Sequence, residues 1–118
     1  MNLLQETIQD IAESGYEIKD IVFIGSLKSG YRCTWGEFEI LADHEYDEGF
    51  GAQKVAQDLM ILFNDGQYMS RWEYDGSEGW ATPCKKYRIP EEKKAIKSLF
   101  VTEKRVGWED LEEINKDI

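Results

Sequence analysis

The sequence predicts an α+β domain built on an antiparallel sheet of about five strands, with helices packed on one face. Three observations predict it. The first 14 residues carry a helical apolar stripe, residues 58–82 carry strand and turn signals, and helices and hairpins are segregated with no βαβ rhythm. The expected order is α-β-β-α-β-β-β-α, with one more helix at the end. All 118 residues form one domain, with 102–118 read as a loosely attached acidic end.

Asn2 is a natural N-cap, and Leu4, Ile8 and Ile11 share a helical face, so the first helix spans about 2–14 and stops at Gly15. Ile18 to Ile24 is rich in β-branched residues and reads as a strand. The Gly25 to Gly30 turn leads into Tyr31 to Thr34, the second arm of a hairpin. Thr34 and Glu37 form a capping box before the stripe Trp35, Phe38, Leu41 and Ala42, giving a helix over about 35–44. The continuous apolar run Leu59 to Phe63 reads as a strand buried on both faces. The turn Asn64-Asp65-Gly66, the alternating strand Tyr68 to Tyr74, the turn at 75–79 and the return Trp80 to Thr82 complete a three-stranded meander. Pro83 ends strand pairing. Pro90, Glu91 and Glu92 open a third helix over 90–101, with Ala95, Ile96, Leu99 and Phe100 on its apolar side. Trp108 to Asn115 is a last acidic helix. The expected core holds Ile8, Ile11, Val22, Ile24, Phe38, Leu41, Leu59, Ile61, Trp72 and Leu99.

The net charge is −10 and unevenly placed. Residues 1–80 hold 16 acids and 5 bases, whereas 81–105 hold 3 acids and 8 bases. An acidic body repels phosphate backbones, so direct nucleic-acid binding is not expected. No secretory signal and no membrane-length apolar run appears, which implies a cytoplasmic protein. Cys33 and Cys84 fit no CxxC pattern, so no disulfide is expected.

Candidate chemistry is thin. Glu-Tyr-Asp occurs at 45–47 and again at 73–75, each copy running into glycine. Turn formation accounts for the aspartates. His44 lies among acids, but the calcium-loop template starting at Asp43 finds Glu48 and Lys54 where Gly and Glu are required. Gly49-Phe50-Gly51 lacks the third glycine of a dinucleotide fingerprint. Neither cysteine has a patterned His partner. No catalytic residue, metal ligand or cofactor is therefore expected. The candidate binding residues are Asp43, Glu45, Asp47, Glu48, Glu73, Asp75, Glu78 and Trp80, acids grouped with an aromatic anchor.

The strings IVFIGS, TWGEFEILAD, EYDEGFGAQKVAQDL and RWEYDGSEGW, across about residues 20–82, resemble a family of small uncharacterised bacteriophage and prophage proteins. The resemblance rests on Gly25, Ser26, Trp35, Phe38, Tyr46, Asp47, Gly49, Gly51, Gln53, Asp58, Leu59, Glu73, Tyr74, Asp75, Gly76, Ser77, Glu78 and Trp80. It implies a mobile-element origin and a bacterial host cytoplasm, and it supplies no reaction. The expected function is a non-catalytic protein-binding or inhibitory module, a nucleic-acid mimic attracted to a basic host protein. The alternatives are an immunity-type protein neutralising a basic toxin, and a metal-dependent hydrolase using the acidic loop.

Overall fold

The computed structural model describes residues 1–81, 89–101, 108–116 and 118. Cys84, and with it the disulfide question, lies outside the described residues, as do 102–107 of the C-terminal segment.

Helix α1 is Leu3–Glu13, and the Asn2 side chain accepts from the Gln5 amide at its N-terminus. Gly15 follows the helix at φ +85°, a conformation that costs a glycine little. The buried stripe is Leu3, Thr7 and Ile11, while Ile8 is 43% exposed. This displaces Ile8 from the expected core. The rotation brings Thr7 inward, where its hydroxyl donates to the Leu3 carbonyl and accepts from the Trp80 indole N–H. A buried indole N–H requires such an acceptor.

A single 3₁₀ turn, Ile18–Asp20, precedes β1, Ile21–Gly25, so the strand starts later than its β-branched run suggests. The register with β3 shifts between Ile21 and Phe23. Val22 sits at that irregularity, 50% exposed, which removes it too from the expected core. β2, Tyr31–Cys33, pairs back antiparallel. Only glycine fits at the start of this hairpin: a Cβ on Gly25 would lie 2.0 Å from the Tyr31 carbonyl oxygen. Helix α2, Trp35–Leu41, opens with the expected reciprocal cap between Thr34 and Glu37.

β3, Met60–Phe63, is buried throughout. Ile61 and Phe63 enter the main core with Leu3, Ile11 and Phe38, while Met60 and Leu62 pack with Phe23 on the other face. β4, Tyr68–Tyr74, and β5, Ser77–Ala81, complete the meander. They join through Asp75 at φ +51° and Gly76 at φ +88°, the double left-handed turn that matches strand twist. The sequence places Trp72 in the core, but Met69 and Arg71 point inward and Trp72 is 43% exposed.

The expected helix over 90–101 does not form. Instead β6, Lys94–Ala95, pairs parallel with β2. The physical reason is that other groups satisfy this backbone. The Arg32 guanidinium donates to the Pro90 and Glu92 carbonyls. The Asn115 side-chain oxygen accepts from the Lys97 and Ser98 amides at 2.7 and 2.9 Å. Ile96 and Leu99 are still buried, so apolar residues spaced three apart served an extended chain.

The sheet is six-stranded and mixed, in the order β5-β4-β3-β1-β2-β6, mostly antiparallel with one parallel pair at its edge. Helix α3, Leu111–Asn115, is capped by Asp110 and buries Leu111 and Ile114 in the main core. Among the described residues, no helix is long and apolar enough to cross a membrane.

Candidate functional site

The two acidic segments meet beside the β4–β5 turn. The Glu78 amide donates to the Glu48 carbonyl at 2.8 Å. Gly76 packs against the backbone of Gly49 and Gly51, close enough that a Cβ there would stand 3.5 Å from Gly51 main-chain atoms. Loop 45–51 is thereby laid along the 75–78 reversal.

On this seam Asp47 is exposed and caps its own turn, accepting from the Gly49 amide. Glu45 and Glu48 lie 3.1 and 3.6 Å from the Met1 ammonium. Asp43 is exposed and accepts from the Asn2 side chain. Glu73 accepts from the Gly76 amide across the turn that Asp75 enters. Phe50 and Tyr74, 76% and 79% exposed, stand on the two segments. His44 packs its ring against Phe100 at 4.5 Å. Among the described residues, no group of three or more His, Cys, Asp or Glu side chains has a metal-holding arrangement.

Two of the eight candidates are buried. Glu78 and Trp80 are 5% and 8% exposed and face the interior. One Glu78 oxygen accepts from the Lys54 amide at 2.6 Å, the other from the Val55 amide at 3.2 Å and from Arg71 at 3.0 Å. Glu78 is thus the anchor of the acidic loop, because a carboxylate can satisfy loop amides and a guanidinium together.

Sequence reasoning missed the centre of this arrangement, which is Arg71. Its side chain is fully buried, donates to the Tyr46 hydroxyl at 3.0 Å, and lies 3.4 Å from Glu6. Its guanidinium also stacks 4.9 Å from the Trp80 ring. Burial opposes the cation, but Tyr46, Glu6 and Glu78 outweigh that and hold the Arg71 pKa above its usual value. Burial pushes the Tyr46 phenol up in turn, with Arg71 opposing. A signal was available: Arg71 alternates with Met69 in a segment of 80 residues that holds only five bases.

Cys33 is half-buried at the end of β2, and burial followed by the nearby Glu37 pushes its thiol up to about 12. Such a thiol is a poor nucleophile at neutral pH.

No protein-family model, curated protein or solved structure matches this chain.

Proposed function

We propose that the protein is a non-catalytic binding module whose acidic loop and turn dock a basic protein partner. The seam between Glu48 and Glu78 supports this reading above all. It sets two acidic segments, each with a largely exposed aromatic ring, side by side on an anchored backbone. Exposed aromatics among carboxylates suit a cationic surface, which gains both steering and apolar contact. A basic nucleic-acid-binding groove has that chemistry, so inhibition by mimicry is the mode we propose. On the resemblance to phage proteins, the partner belongs to a bacterial host.

The test is capture from bacterial lysate at low and high salt, comparing the parent chain with Glu45→Lys, Asp47→Lys and Glu73→Lys combined. A basic protein retained at low salt, released at high salt and lost with the folded triple variant supports the reading. Equal capture by parent and variant overturns it.

A further inference from the structure

Where β2 leaves the sheet, a groove of about 690 Å³ opens. β2 pairs with β1 only at Ile24 and Gly25, because the chain turns at Thr34 into α2. The stretch of β1 before Ile24 therefore has no β2 neighbour. Ile18, Ile21 and Val22 line the gap from one side and Trp35 from another.

The charge along this groove differs from that of the whole chain. The protein carries a net −10, yet among the described residues the groove is lined by Arg32, Lys93 and Lys94 against the single acid Glu37. Most of these groups are engaged. Glu37 accepts from the Thr34 amide. Arg32 donates to the carbonyls of Gly30, Pro90 and Glu92. Lys94 lies 3.7 and 3.9 Å from Glu92 and Glu112. Lys93 is exposed, and no ion pair engages it among the described residues. An apolar floor beside an unengaged ammonium suits a ligand with an apolar body and one negative head. The volume falls in the range of about 300–1,000 Å³ typical of small-molecule sites.

We propose that this groove binds a small anionic amphiphile, its apolar body against Ile21, Val22 and Trp35 and its head at Lys93. Carboxylate and phosphate heads share the needed chemistry. The site is separate from the acidic loop and stands independently of the function proposed above.

The experiment titrates the full chain with decanoate, decyl phosphate and decanol below their micellar concentrations. Calorimetry gives affinity, and the amide resonances of Val22 and Ala95 report location. At least one of the two anions is expected to shift both resonances and to bind more tightly than decanol. Lys93→Glu should weaken that anion about tenfold or more and leave decanol unchanged. Val22→Asp should weaken all three, with folding of both variants checked by circular dichroism. Unmoved resonances with every probe, decanol binding as tightly as the anions, or undiminished anion affinity in folded Lys93→Glu would each overturn the proposal.

Discussion

Trp72 and Gly79 face each other across β4 and β5, and the indole lies directly on the glycine. A Cβ at Gly79 would stand 3.1 Å from the ring. The vacancy lets the indole N–H cross the strand and donate to the Trp80 carbonyl at 3.2 Å. Gly79→Ala should therefore displace the ring, red-shift tryptophan emission and cost about 1 kcal/mol for the lost hydrogen bond. Unchanged emission and stability in urea titration would contradict this arrangement.

Arg71→Leu should destabilise by about 3–5 kcal/mol, because it leaves Glu6 and Glu78 without their buried counter-charge. Chemical denaturation measures this. Leu59→Ala, a simple cavity in the main core, should cost about 2–5 kcal/mol by comparison.

Asn115→Ala should destabilise by about 1–3 kcal/mol, because its side chain serves the Lys97 and Ser98 amides and the Ser98 and Leu111 carbonyls. If 90–101 were a helix, those amides would have internal partners and the substitution would be near neutral.

Asp58 provides a pH test. Its Oδ1 accepts from the Leu111 amide at 2.7 Å, and its buried Oδ2 has no geometric partner among the described residues. Burial, the largest cause, raises its pKa above 3.8, with the neighbouring Ser26 hydroxyl and the Leu111 amide opposing. The folded state thus holds this proton more tightly than the unfolded state. Its stabilising contribution is full below pH 3.8 and is lost as pH rises through the raised folded value. Asp58→Asn keeps an oxygen for Leu111 and should flatten that part of the stability–pH profile. A profile identical to the parent would refute the assignment.

Where local rules suffice, the chain is legible from its residues. The Thr34–Glu37 cap, the Asn2 cap and the Asp75-Gly76 reversal each depend on neighbours within three positions. Legibility fails where a distant polar group outbids a local preference. Arg71 goes inward because Glu6 and Glu78 await it, and Trp72 goes outward as the consequence. Residues 90–101 stay extended because Arg32 and Asn115 satisfy them from outside. The same holds for the candidate site: the exposed acids were readable as turn residues, but the burial of Glu78 depends on Arg71, Lys54 and Val55 together.

The bond from Trp80 to Thr7 spans 73 positions. A ribosome releases the first helix long before the residue that completes its buried face. At synthesis rates of about 5–20 residues per second, that interval lasts several seconds. During it, α1 lacks both Trp80 and Arg71, and a short isolated helix is marginal in water. Until then the nascent chain holds its opening segment only through nearer partners such as the Ala42 and His44 carbonyls, and its polar anchors to β4 and β5 wait for those strands to be made.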